Sequence, residues 1–224
     1  MLQSQLQSIV EKFAVSATVS TIRPLGSGLI NDTYLVVTEE KDQPDYVLQR
    51  INHEVFPDVD MVMRNIAIVT RHIRERLIAQ GETDLRHHVL EFLPTVEDAN
   101  RLYVEVDGHY WRLMVFIDHA VTKQEVNPES AHAAGQSFGH FQAMLADVPC
   151  QLGETIKDFH NMEFRIEQLK QACIEDRAGR FDEPVVQELL EQLGKRAEAM
   201  TEAERLGREG KLPKRVCHCD TRSE

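Results

Sequence analysis

A histidine and an aspartate, His218 and Asp220, are separated by one residue near the carboxyl end of the chain, shortly after Val216. A carboxylate in such a loop can accept a hydrogen bond from an attacking hydroxyl and orient it, so Asp220 is the candidate catalytic base and a candidate substrate contact. Zinc binding by Cys217, His218 and Cys219 is disfavoured, because adjacent residues do not readily all face one tetrahedral ion. An unstructured tail is the remaining alternative.

A glycine-rich segment joins two strand-like stretches near the amino end. Glycine lets a backbone approach a bound group closely, and the N–H groups of such a segment can hold phosphate oxygens. A plain hairpin turn is the alternative, because the segment matches neither of the standard phosphate-binding glycine patterns. Its candidates for contact with a nucleotide are Gly26, Ser27, Gly28, Asn31 and Thr33.

Gln49 and Arg50 lie side by side in a third strand-like run. Side chains on a strand alternate between its faces, so only one of the two can point toward the glycine segment. Kinase-type folds place a cation at this point, where it contacts the α- and β-phosphates. The sequence leaves open which of the two takes that place, and a pair that faces solvent is the alternative.

Residues 111–118 read as a buried strand that leads into the second half of the chain. Near its end, the backbone N–H and C=O groups of Phe116 and Ile117 are candidates for contact with an adenine ring. A core strand without a ligand explains the same residues.

His160 and Asn161 form a polar pair in the second half of the chain. His160 is a candidate contact for a sugar. A turn that begins a helix is the more common explanation for such a pair.

The elements that position these residues change character near residue 120. Before it, β-branched and aromatic runs predict strands, and apolar residues at three- and four-residue steps predict helices. The predicted strands are residues 16–25, 33–38, 46–51, 89–93, 101–106 and 110–117, and the predicted helices are 2–13, 58–79, 129–147, 163–174 and 183–208. Asp58 and Gly81 are expected to begin and end the second helix, and Asp107-Gly108 predicts a hairpin. The fold class is therefore α+β, with a sheet-containing lobe over residues 1–117 and a helical lobe over 118–224.

The composition disfavours some classes of binding partner. The 224 residues carry a formal net charge of −12, which disfavours nonspecific binding to nucleic acid or to an anionic membrane surface. No apolar run approaches the ~18–20 residues needed to span a bilayer, and the amino end does not resemble a secretory signal. Four irregularly placed cysteines favour a reducing, cytoplasmic compartment. A small molecule is the expected partner, and the oligomeric state is not indicated.

Four of these features follow one another along the chain as the glycine segment, the third-strand Gln49-Arg50, the hinge and the His-x-Asp pair. In that order they resemble the aminoglycoside-phosphotransferase and choline-kinase superfamily. Within it, the segments LGSGLINDTYLV, YVLQRIN and RVCHCDT most resemble the N-acetylhexosamine 1-kinase group, and the similarity runs from about residue 20 to Thr221. The resemblance implies a protein kinase-like fold with two lobes, an antiparallel sheet in the N-lobe and helices in the C-lobe. It also implies transfer of the γ-phosphoryl group of ATP, with Mg²⁺, to the anomeric hydroxyl of an N-acetylhexosamine.

The resemblance also implies a role for each residue. It assigns the phosphate loop to Gly26, Ser27 and Gly28, the third-strand position to Gln49 or Arg50, the hinge to Phe116 and Ile117, and the catalytic base to Asp220. Arg64 departs from the family pattern, in which a glutamate is expected near this place to pair with the third-strand cation. That ion pair is therefore expected to be missing or rearranged.

The end of the sequence is a second departure. Relatives continue past the His-x-Asp pair to an asparagine and an aspartate that hold Mg²⁺ and then to further helices, whereas this sequence stops at Glu224. We therefore expect a truncated chain with an incomplete helical lobe, with metal ligands beyond its end, and without transfer activity. The alternatives are a kinase of another hydroxylated metabolite, such as an aminoglycoside, choline or homoserine, and a noncatalytic nucleotide-binding remnant.

Overall fold

The computed structural model describes residues 2–26, 30–121 and 126–218. The chain divides into two compact units. The first comprises Met1–Thr155 and Val216–Glu224, and the second comprises Ile156–Arg215. None of the helices in the described ranges is long and apolar enough to cross a membrane.

A five-stranded antiparallel sheet forms the framework of the first unit, in the order β1-β2-β3-β5-β4. Its strands are β1 (Val19–Pro24), β2 (Asp32–Thr38), β3 (Tyr46–Ile51), β4 (Val104–Val106) and β5 (His109–Val115). The predicted meander of the first three strands is confirmed. So is the Asp107-Gly108 hairpin, where φ angles of 52° and 73° suit the tight turn between β4 and β5.

The strand predicted at residues 89–93 is wrong, and β4 is shorter than predicted. Residues 91–93 and β4 share one edge of β5. β4 pairs with the first half of β5, whereas Leu93 N–H donates to Leu113 C=O at 2.9 Å and Phe92 forms an isolated bridge with Met114. Each segment obtains only part of the edge, so neither extends into a long strand.

The helices of the described ranges largely follow the predicted periodicity. They are α1 (Gln3–Val10), α2 (Val59–Ala79), α3 (Leu85–His88), α4 (Pro128–Met144), α5 (Met162–Glu175), α6 (Pro184–Met200) and α7 (Glu202–Arg208). Asp58 caps α2 as predicted, since its carboxylate accepts from Met61 N–H at 2.8 Å. The single helix predicted over 183–208 is wrong, because it divides at Thr201, whose hydroxyl donates to Glu198 C=O at 2.9 Å.

Apolar side chains fill both faces of the sheet. On one face, Leu48, Trp111 and Leu113 pack with α1 and are almost fully buried. On the other, Ile51 packs with the α2 residues Val59, Val62 and Met63. A further cluster joins α2 to the end of α4 through Ile73, Leu77, Met144 and Leu145, with Val216 against it. α2 is thereby held over the face of the sheet that carries Gln49.

Candidate functional site

Three polar side chains cross the middle of the sheet on the face toward α2. Thr33, Gln49 and Arg112 are register partners on β2, β3 and β5, and we call them the polar row. Gln49 Nε2 donates to Thr33 Oγ1 at 3.0 Å, and Arg112 donates from Nε and Nη2 to Gln49 Oε1 at 3.0 and 2.5 Å. The row fixes Gln49 from both sides and aligns it with the strand that follows the glycine segment.

Arg50 lies on the opposite face of β3, because side chains alternate along a strand. It forms an ion pair with Asp32, its register partner on β2, and both side chains are more than one-third exposed. The positive charge of Arg50 is thus already balanced at the surface. Of the two third-strand candidates, Gln49 is the one on the α2 side.

Arg112 is partly buried and has no carboxylate partner among the described residues. Its Nη1 lies 3.8 Å from Met63 Sδ, and its guanidinium lies 5.5 Å from the centre of the Phe92 ring. Burial lowers the pKa of Arg112 to about 10.

Arg64, the departure noted in the sequence, is exposed on α2, and it is the preceding residue Met63 that approaches Arg112.

The base of the glycine segment is closed by backbone and amide contacts. Leu25 N–H donates to Thr33 C=O at 2.9 Å, and Asn31 Oδ1 accepts from Asn52 N–H at 2.9 Å. Gly26 has a φ of 74°, a conformation that glycine adopts without strain. The candidates Ser27 and Gly28 lie outside the described residues.

The predicted hinge has one residue whose backbone is already engaged. Phe116 N–H donates to Asp45 C=O at 2.9 Å, and Phe116 C=O accepts from Arg86 Nη2 at 3.3 Å. Within the described part of the chain, no such hydrogen bond is formed by the backbone of Ile117. Ile117 is therefore the better placed of the two candidates for contact with a base.

A histidine joins the hinge to α3. His87 Nδ1 lies 2.7 Å from an Asp84 oxygen, and His87 Nε2 lies 2.6 Å from Asp118 Oδ1. These hydrogen bonds, that to Asp84 most, raise the pKa of His87. The same contacts lower the pKa values of Asp84 and Asp118. Arg86, also on α3, adds a 3.4 Å contact to Asp118, so the residue that follows the hinge is tied by charge to α3.

The carboxyl-terminal candidates are described only up to His218. Its ring packs against those of Phe138 and Phe141 on α4, with centres 5.6 and 6.2 Å apart. Cys219 and Asp220 lie outside the described residues. In the described ranges no group of three or more His, Cys, Asp or Glu side chains could hold a metal ion.

His160 belongs to the second unit. Its ring lies against that of Phe159, with centres 4.7 Å apart. Asn161 begins α5, since its side-chain oxygen accepts from Phe164 N–H at 3.1 Å, as the helix-start explanation predicts. Contact between His160 and a sugar stays a prediction.

Sequence reasoning missed Arg112 and His87 as parts of this region. The available signal for Arg112 was the alternation in β5, where the arginine stands between the buried Trp111 and Leu113. A charged side chain between two buried ones points to the opposite face of the sheet from them, and there it needs a polar neighbour. His87 carried no comparable signal.

Two comparisons with known proteins bear on this site. The model of the phosphotransferase enzyme family matches residues 21–224. A solved aminoglycoside phosphotransferase from Alicyclobacillus acidocaldarius superposes with a TM-score of 0.51 and 16% sequence identity, over 89% of this chain and 52% of that one. At this identity the likeness shows the fold, and it confirms the expected kinase-like α+β architecture. The chain spans about half the length of that solved structure.

Proposed function

Because the chain belongs to the phosphotransferase enzyme family, we propose that it binds ATP for transfer of the γ-phosphoryl group to a hydroxyl of a small molecule. The polar row is the observation that carries this proposal. It places a cation and two hydrogen-bonding side chains in the middle of the sheet, on the face toward α2 and beside the base of a glycine segment. Phosphate oxygens are the acceptors that such donors fit.

Six of the candidate residues have a role in this proposal. Gly26, with Ser27 and Gly28, covers the phosphates, and Gln49 lies beneath them. Ile117 presents its backbone to the base. ATP supplies the phosphoryl group, and Asp220 accepts a hydrogen bond from the acceptor hydroxyl and orients it.

An N-acetylhexosamine is the acceptor we propose, with its anomeric hydroxyl as the attacking group. The support is the resemblance carried by the glycine segment, the third strand and the His-x-Asp segment. A kinase of an aminoglycoside, choline or homoserine is the alternative within the same family. An ATP-dependent reaction of this kind would take place in the cytoplasm.

We also propose that the 224 residues bind nucleotide but do not complete transfer. The support lies in the second unit, where large apolar side chains of α5 and α6 are exposed, among them Ile174 at 78% and Leu189 at 58%. Such side chains are normally covered by neighbouring elements.

Titration calorimetry and a transfer assay test the proposal in two steps. ATP is expected to bind the purified chain more tightly than adenosine, because the phosphates contribute to affinity. If neither ATP nor adenosine bound to the chain, the proposed function would be contradicted.

Radiolabelled ATP is then offered with N-acetylglucosamine, N-acetylgalactosamine, kanamycin, choline and homoserine. We expect no labelled product from the 224 residues. A labelled sugar 1-phosphate would support the acceptor and refute the expectation of an inactive chain, whereas labelled choline or kanamycin would favour the alternative.

A further inference from the structure

We propose that Arg112 on β5, rather than a residue of the third strand, supplies the positive charge that binds the phosphates of the nucleotide. The inference rests on the proposed function and deepens it. It assigns the charge to a residue 63 positions away in sequence from Gln49, the residue that holds it.

The first support is the unused part of the guanidinium. An arginine has five N–H donors, and Arg112 directs its Nε and Nη2 atoms to Gln49 Oε1. Toward Nη1 the described residues offer a thioether sulfur, Met63 Sδ at 3.8 Å, which is a weak acceptor. The remaining N–H groups therefore lack an oxygen acceptor within the described part of the protein. A phosphate accepts two parallel hydrogen bonds from such a planar edge.

The second support is the balance of charge. A buried cation is costly unless an anion or several acceptors stabilise it. Burial alone lowers the pKa of Arg112 to about 10, and the group remains charged at neutral pH. The Phe92 ring offsets part of the cost. A bound phosphate would offset the rest, in contrast to Arg50, whose charge is already balanced by Asp32.

The third support is the choice of glutamine at position 49. A lysine at that position would stand directly opposite Arg112 in the register of β3 and β5, and two like charges in a cross-strand pair repel. A neutral amide instead accepts from Arg112 and donates to Thr33. Gln49 is thus a positioning residue, and the arginine takes over the charge that the third strand lacks.

Three variants test this assignment: Arg112→Met, Gln49→Glu and the control Arg101→Met. Arg101 is a matched control because it also stacks on an aromatic ring, that of Tyr103 at 4.6 Å, and lies outside the polar row. Gln49→Glu places a carboxylate against Arg112, so that the cation gains an internal partner. Binding of ATP, tripolyphosphate and adenosine is measured by calorimetry, and thermal unfolding is measured alongside.

We expect Arg112→Met and Gln49→Glu to weaken binding of ATP and tripolyphosphate tenfold or more, while adenosine affinity stays within about twofold. Gln49→Glu should unfold at a temperature no lower than the wild type. Arg101→Met should leave all three affinities within about twofold.

Unchanged ATP and tripolyphosphate affinity in Gln49→Glu would overturn the assignment, even if Arg112→Met failed to fold. The same holds for unchanged affinity in a folded Arg112→Met. If the wild-type chain bound none of the three compounds, the proposed function itself would fail, and the assignment with it.

Discussion

Leu48 is the residue whose truncation tests the central position of β3 most sharply. It is fully buried, at 0% exposure, between Val47 and Gln49 on the strand that has neighbours on both sides. Leu48→Ala removes three carbons from the face packed against α1 and leaves a cavity. Fully buried leucines replaced by alanine lose about 3–5 kcal/mol of unfolding free energy, so we expect a loss of ~3 kcal/mol or more.

Urea unfolding followed by far-ultraviolet circular dichroism and by tryptophan fluorescence measures this loss. Trp111 is the one tryptophan of the sequence. It reports on the same face of the sheet because its side chain on β5 is only 1% exposed. Leu90→Ala is the matched control, since Leu90 is 45% exposed, and it should cost about 1 kcal/mol or less. In a thermal scan Leu48→Ala should lower the midpoint by roughly 6–12 °C. Equal costs for the two variants would refute the described packing of the sheet.

Two further predictions concern the elements around the site. Asp58→Ala should reduce the unfolding free energy by about 1 kcal/mol, because Met61 N–H loses its cap, and a urea titration that shows no loss would contradict the cap. The pKa of His87, measured by NMR titration of its ring, should lie above 6.5 and should fall toward that value in Asp118→Asn. Because this pKa is raised on folding, the stability it contributes is full below about 6.5 and is lost as the pH rises through the folded value. The pKa values of Asp84 and Asp118 are lowered on folding, so these carboxylates set the acid limit of stability. The stability they contribute is present above about pH 3.8 and is lost as the pH falls through their folded pKa values. A His87 pKa at or below 6.5 would refute the contact.

Much of the sheet was predictable from local pattern. β2, β3 and α2 were placed within one residue of their bounds, because their apolar spacing and the Asp58 cap are local signals. The failure at residues 89–93 has a nonlocal cause. Both that segment and β4 compete for one edge of β5, and a local window contains no information about a shared edge.

The site was predictable in part. The alternation rule showed that only one of Gln49 and Arg50 could face the site, but the choice required the register with β2 and the ion pair of Arg50 with Asp32. Arg112 was missed because its partner lies far away in sequence and no short motif joins them. Pairings of this kind are set by the fold as a whole, so they become visible only in three dimensions.

A crystal structure of the protein with a non-hydrolysable ATP analogue would show directly whether Arg112 binds the phosphates. We expect phosphate oxygens within about 2.7–3.2 Å of the Arg112 guanidinium, on the face of the sheet that carries Thr33 and Gln49. Phosphates bound at Arg50 on the opposite face, or at a place remote from the glycine segment, would contradict this expectation.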